Sequence, residues 1–119
     1  MAFNIVLENS DFHLFYDAIA VYQVFLESLF TDPDCDLTEK EITTALFTLN
    51  SAVMRLTDLS FNFPFKEVKL MYDALCFYLD CLTTSNFPEF SKLVVDKKNL
   101  SNIHAVAMLA GKLKPALQI

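Results

Sequence analysis

The pattern of apolar and polar residues predicts a helical protein, and its strongest signal lies near the N terminus. Fourteen of the nineteen residues from Phe12 to Phe30 are apolar. On a helix with about 100° between successive residues, most of the polar residues in this segment fall on one narrow strip. A surface helix needs an apolar stripe on one side only. We therefore expect this first helix, with Ser10 as its N-cap, to be buried on more than one side.

A capping box marks the start of a second helix. Thr38 and Glu41 have the spacing at which each side chain satisfies a backbone donor of the other residue, which predicts a helix that begins at Glu39. Its apolar residues recur every three or four positions from Ile42 to Leu59. We predict an ordinary amphipathic helix with a polar, solvated outer face.

The rest of the chain contains three more helical patterns. A third helix is predicted over 65–83, and it is the second helix with apolar residues over most of its circumference. A shorter helix is predicted over 88–97, and a last one over 102–111 begins after the cap Ser101. Gly111 is typical of a helix end, and Pro115 is expected to prevent the helix from continuing.

Two short stretches fall outside this helical pattern. Phe3, Ile5 and Leu7 alternate with their neighbours, which predicts a short extended segment. Such a segment pairs with residues 117–119, pairs with its own copy in a dimer, or does not form. The string Asn-Phe-Pro occurs at 62–64 and again at 86–88, and in both places the proline suits the first turn of a helix.

Composition agrees with a helical fold. The 119 residues are 54% hydrophobic and include twelve Phe, four Tyr and one Gly. A single glycine leaves few positions suited to positive backbone φ, so turns must be few and helices are favoured. We expect one domain over 1–119, an all-α, compact bundle of four to five helices with a short N-terminal extended segment.

Charge is distributed unevenly between the two halves of the chain. Residues 1–60 contain ten acidic and two basic residues, whereas residues 61–119 contain five acidic and seven basic ones, for a net charge of −6. Phosphate contacts need clustered lysines or arginines, and Lys97-Lys98 is the only local cluster, so nucleic acid is not an expected partner. A basic protein partner is electrostatically allowed. In the alternative interpretation, the acidic residues form solvated faces that keep an apolar protein soluble.

The cysteines and the apolar first helix bear on location. Cys35, Cys76 and Cys81 are an odd number, and the N terminus has no basic or cleavable signal region. We expect reduced thiols and a cytoplasmic location. A membrane span over 12–30 would bury Asp17 and Glu27 in hydrocarbon, so no membrane span is expected.

Asp32, Asp34 and Asp36 resemble the opening of a calcium loop, in which alternating carboxylates converge on the ion. Such a loop needs a glycine at its sixth position and a glutamate at its twelfth, and here these are Leu37 and Thr43. The three carboxylates instead favour the N-terminal end of the second helix. Cys76 and Cys81 lie about 140° apart on a helix, so they are not a metal pair. We expect no metal site.

No residue pattern predicts catalysis or a cofactor. His13 and Asp17 are four residues apart on the first helix, a spacing at which a carboxylate can orient an imidazole. An active site needs several mutually positioned groups, and no nucleophile accompanies this pair. His104 is expected to be partly buried or at an interface. Because the chain has one glycine, phosphate-binding loops are absent, and we expect no enzyme and no cofactor.

The surplus of apolar residues is the basis of the functional hypothesis. Two helices are apolar over more than half their circumference, and a small bundle has room for one at its centre, so the other should face a partner. Aromatic residues are favoured at interfaces, and twofold dimers are common. The candidate interface residues are Phe12, Phe15, Ile19, Tyr22, Phe25, Tyr72 and Tyr78.

Three functions are compatible with this pattern. The first is a non-catalytic interaction protein that works as a homodimer or as a subunit of a larger assembly. The second is an inhibitor or immunity-type protein whose acidic half masks a basic surface on an enzyme or toxin. The third is a carrier of an apolar ligand or a small enzyme, with an enclosed cavity near Tyr16, Tyr22 or Tyr78.

Overall fold

The fold is an all-α bundle, as predicted from the sequence. The computed structural model describes residues 2–84 and 86–118, and within them the bundle has five helices and a small two-stranded sheet. The helices are α1 (Asn9–Ser28), α2 (Glu39–Thr57), α3 (Phe65–Thr83), α4 (Pro88–Ser91) and α5 (Leu100–Leu117), with 3₁₀ turns at Leu29–Thr31 and Lys92–Lys97; the strands are β1 (Ala2–Asn4) and β2 (Asn62–Pro64).

The central helix is α3, which packs against α1, α2 and α5. Nine of its nineteen residues are buried, among them Met71, Leu75 and Tyr78. Its bounds match the predicted third helix. Because apolar residues cover much of its circumference, α3 can contact α1, α2 and α5 at once, while Lys69 and Asp80 lie on its exposed side.

The first helix occupies a corner of the bundle between α2, α3 and α5. Phe15, Ala18 and Ile19 lie in the core. The exposed residues on the middle of α1 form a narrow strip that includes Ala20 and Val24. The prediction that this helix is buried on more than one side is confirmed, and the burial comes from its own chain.

Capping determines where the first two helices begin. As predicted, α2 starts at Glu39, and the Glu41 N–H donates to Thr38 Oγ1 over 3.1 Å. The predicted cap Ser10 is wrong, because the N-cap of α1 is Glu8. Asp11 accepts hydrogen bonds from the Glu8 N–H and from Lys112 Nζ, each at 2.8 Å. The hydrogen bond to Asp11 raises the pKa of Lys112, and this ion pair ties the start of α1 to α5.

The N-terminal segment is extended, but its partner is one that the sequence did not predict. β1 pairs antiparallel with β2, with Phe3 opposite Phe63, and not with residues 117–118, which belong to the end of the last helix. Residue 119 lies outside the described residues. β2 consists of the first Asn-Phe-Pro string, so Pro64 is the N-cap of α3 and lies one residue before the predicted helical turn. In the second string, Pro88 is the first residue of α4.

The C-terminal helix is longer than predicted. It begins one residue after Asn99, whose side chain accepts from the Asn102 N–H over 2.8 Å, and it contains both Gly111 and Pro115. The predicted end at Gly111 is wrong, because Leu113 is fully buried and its contacts favour continuation of the helix. Pro115 removes the N–H that would bond the Gly111 carbonyl, and only Ala116 and Leu117 follow it in the helix.

The helix predicted over 88–97 is only partly α-helical. α4 ends at Ser91, and the chain continues as a 3₁₀ turn with non-helical backbone angles at Val94. Val94 is buried. A short, kinked segment lets this side chain enter the core while its neighbours Leu93 and Val95 stay exposed.

Leu59 follows the C-cap of α2 and has a backbone conformation that glycine would adopt more easily. Its φ is +58°, and the Leu59 and Ser60 N–H groups donate to the carbonyls of Leu56 and Arg55, which is the Schellman pattern. We expect Leu59→Gly to raise the free energy of unfolding by about 0.5–1 kcal/mol, because the left-handed conformation strains a Cβ and the exposed side chain loses little packing.

Urea denaturation checks this prediction. The matched control is Leu93→Gly, which replaces an exposed leucine outside the left-handed region and should lower stability. A destabilised Leu59→Gly variant would contradict the strain argument.

Candidate interaction surface

Three of the seven predicted interface residues are inside the fold. Phe15, Ile19 and Tyr78 are fully or almost fully buried, so they are unavailable to a partner. The prediction failed for them because α1 packs into a corner of the bundle and α3 takes its centre. The Tyr78 hydroxyl has no hydrogen-bond partner in the described structure. Burial raises the pKa of Tyr78. The nearby Asn102 side chain offsets part of that rise, although it forms no hydrogen bond with the Tyr78 hydroxyl.

The other four predicted interface residues are half-buried, and three of them contact aromatic rings of their own chain. The ring of Phe12 lies 6.0 Å from that of Phe61. Tyr22 and Phe25 are stacked at 5.9 Å, and Phe25 lies 4.5 Å from Phe77. Tyr72 lines an open groove with Phe65 and Leu117. Most of the aromatic surface on α1 is therefore used within the fold.

The exposed face of α2 contains two large apolar residues that the sequence analysis missed. Phe47 is 68% exposed and Met54 is 65% exposed. They are seven residues apart, or two turns, so they point in the same direction. Ser51 and Asn50 lie between them and are exposed. The signal was present in the sequence: two large apolar residues at helical spacing on the side opposite the buried stripe.

We call this surface the α2 face. It consists of exposed residues along one side of the helix, from its first turn to its C-cap: Lys40, Phe47, Asn50, Ser51, Met54 and Asp58. The Asn50 side chain accepts a hydrogen bond from Gln23 Nε2 over 3.0 Å, which holds it in place. The centre of the face is uncharged, and its two charges lie at opposite ends.

A groove of about 390 Å³ runs beside Phe47, between α2 and the start of α3. It is lined in part by Ser51, Arg55 and Pro64. Arg55 Nε donates to Glu67 Oε1 over 2.8 Å, and the Glu67 side chain is only 2% exposed. This ion pair holds the two helices that form the groove.

A second, more open groove of about 470 Å³ contains Ser91, Lys92 and Lys98. Ser91 Oγ donates to the Cys81 carbonyl over 3.0 Å and accepts from Lys98 Nζ. A catalytic serine–lysine pair needs a neutral amine that removes the hydroxyl proton. Here the lysine donates and the serine proton is directed at a carbonyl, so the arrangement is structural and ties the 3₁₀ turn to α3.

The other candidate chemical groups are isolated or buried. Asp32 accepts from the Asp34 N–H over 2.9 Å, which is a local turn contact. Burial raises the pKa of Cys81 to about 11, so its thiolate form is scarce at neutral pH. His13 and His104 are exposed. Over 2–84 and 86–118, no three His, Cys, Asp or Glu side chains are grouped as metal ligands.

The segment Asn9–Thr31 is long and apolar enough for a membrane span, with a mean hydropathy of 1.2. In the bundle the same segment contributes Phe15, Ile19 and Leu26 to the core. Of the 18-residue window with this hydropathy, 28% is buried in the bundle.

Comparisons with protein-family models, curated proteins and solved structures found no match to this chain.

The Arg55–Glu67 ion pair gives a direct test of how the groove is held together. We expect Arg55→Ala to lower the free energy of unfolding by about 2 kcal/mol, since it leaves a buried carboxylate unpaired while Arg55 itself is partly solvated. Urea denaturation measures the change. Lys66→Ala, at an exposed lysine of the same groove, is the control and should change stability by less than about 0.5 kcal/mol. An equal loss in both variants would contradict the role of the pair.

Proposed function

We propose that this chain is a non-catalytic, helical interaction protein that works by association with another protein surface. The observation that carries the proposal is the α2 face, where the exposed side chains of Phe47 and Met54 lie two turns apart on one side of a helix. Aromatic residues and methionine are enriched at interfaces relative to the rest of a protein surface. A phenylalanine side chain that stays exposed to water also lacks the roughly 1.5–3 kcal/mol of stabilisation that its full burial would provide.

Self-association is the form of the proposal that needs the fewest assumptions, because closed twofold dimers are the commonest soluble oligomers. The polar surroundings of Phe47 and Met54 resemble the anatomy of an interface, with an apolar centre and a polar rim. The remaining polar groups have local structural roles, as Asp11, Glu67 and Ser91 illustrate. These contacts support an interaction function over a catalytic one.

Light scattering after size exclusion tests self-association. At micromolar concentration we expect twice the chain mass of 13.6 kDa, with dissociation on dilution. A mass of 13.6 kDa at every concentration would contradict self-association.

A second candidate function has its own observation. Residues 32–41 contain five exposed carboxylates beside one lysine. The exposed residue Phe30 precedes this segment, and the exposed residue Leu37 lies within it. This acidic surface suits an inhibitor or immunity-type protein that covers a basic surface on an enzyme or toxin. Charge complementarity of this kind accelerates association and makes it sensitive to salt.

Capture of proteins from a native lysate at low and high salt tests the second function. We expect basic proteins to be retained at low salt and released at high salt, because salt screens exposed charges. The matched control is the triple variant Asp32→Asn, Asp34→Asn and Asp36→Asn, which should lose the capture. Capture that is unchanged by salt and by the substitutions would contradict the acidic surface as a binding site.

A further inference from the structure

We infer that the groove between the end of α3 and the 3₁₀ turn Lys92–Lys97 binds a phosphate monoester, with Lys92 and Lys98 as its charge partners. We call it the lysine groove. Its volume of about 470 Å³ falls in the range of small-molecule sites. It shares no residue with the α2 face, so the inference goes beyond the proposed self-association and does not depend on it. The residues that line the groove are Thr84, Pro88, Ser91, Lys92, Val95 and Lys98.

The 3₁₀ turn places both lysines on the same side. Side chains three residues apart eclipse each other in a 3₁₀ helix, and Lys92, Val95 and Lys98 have this spacing and all line the groove. The neighbouring charged residues Asp96 and Lys97 are out of phase with them and do not line it. The described lining therefore contains two lysines and no carboxylate.

A hydrogen bond to Ser91 holds the Lys98 ammonium group at the groove. Ser91 is only 6% exposed, and its Oγ accepts from Lys98 Nζ while it donates to the Cys81 carbonyl over 3.0 Å. A lysine ammonium group has three N–H donors. One of them is used by Ser91, and the other two have no acceptor among the described residues. Lys98 is thus positioned with donors that remain available to a ligand.

The unused hydrogen-bonding groups of the side chains in the groove are positively charged donors. The Thr84 hydroxyl donates to the Asp80 carbonyl over 2.9 Å and accepts from a backbone N–H, and the serine hydroxyl is used within the fold. Neither Lys92 nor Lys98 forms an ion pair over 2–84 and 86–118. A phosphate monoester has roughly −1.5 to −2 charges at pH 7 and three acceptor oxygens. It therefore matches two ammonium groups better than a carboxylate, which has one charge.

The carboxylates near the groove limit how strongly it attracts an anion. Asp80, Glu89 and Asp96 are exposed and do not line it, and exposed ion pairs are weak. Together with the three lysines of residues 80–98, they give this segment a net charge of zero. Long-range attraction of an anion is therefore small, and binding depends on direct contacts with the two lysines. For this reason we expect a Kd of about 1–10 mM for a minimal ester.

Amide NMR titration with glycerol 3-phosphate, at an ionic strength held constant with sodium chloride, tests the inference. We expect saturable shifts centred on residues 86–98, inorganic phosphate to shift the same positions, and acetate to bind more weakly. Vesicles that contain phosphatidic acid distinguish a lipid headgroup from a soluble ester. Vesicle binding that Lys98→Met abolishes would place the lipid phosphate in the same groove.

Matched lysine variants separate a site from general electrostatics. We expect Lys92→Met and Lys98→Met each to weaken binding about tenfold, because each removes a charge-assisted hydrogen bond. Lys97→Met removes the same charge from the same segment but not from the groove, and should change the Kd less than about twofold. Methionine keeps an unbranched, flexible side chain, and Ser91 still donates to the Cys81 carbonyl, so the fold should persist in each variant. Equal weakening in all three variants, or shifts that do not saturate, would overturn the inference.

Discussion

The burial of one broad side of α3 among three other helices is the constraint on which the rest of the structure depends. Met71, Leu75 and Tyr78 lie in the core, and α1, α2 and α5 pack against α3 there. α1 also contacts α2 and α5, and its residues Phe15, Ile19 and Leu26 are covered by its own chain. The outer side of α2 has no neighbouring helix, and Phe47 and Met54 remain exposed on it.

The local features of this fold were predictable because short-range interactions determine them. The capping box of Thr38 and Glu41 placed the start of α2, and apolar periodicity gave the bounds of α3. Features that depend on distant contacts were not predictable. β1 pairs with residues about sixty positions away, and strands of three residues carry little periodic signal. α5 continues past Gly111 and through Pro115 because Leu113 packs in the core. The residues next to Leu113 in the sequence do not predict that contact.

The candidate interface residues also separate into those that local spacing predicts and those that depend on distant contacts. Apolar surplus correctly indicated that two helices need extensive burial, but it could not determine which neighbours bury them. Phe15, Ile19 and Tyr78 are core residues for this reason. By contrast, Phe47 and Met54 were recognisable from spacing alone, since both fall on the polar side of an amphipathic helix. An apolar residue out of phase with the buried stripe predicts an exposed apolar side chain, whereas a high apolar content does not say which side chains are exposed.

The central claim is that the surface left open by α3's position is the outer side of α2, and that a second copy covers it. A dilution series of amide NMR spectra tests this most directly, because each backbone position reports its own environment. We expect concentration-dependent shifts centred on residues 40–58 and on the neighbouring groove residues Lys66 and Glu67, with α1, α5 and the remainder of α3 nearly unchanged. Shifts centred on α1 or α3, or spectra that are identical at all concentrations, would contradict the account.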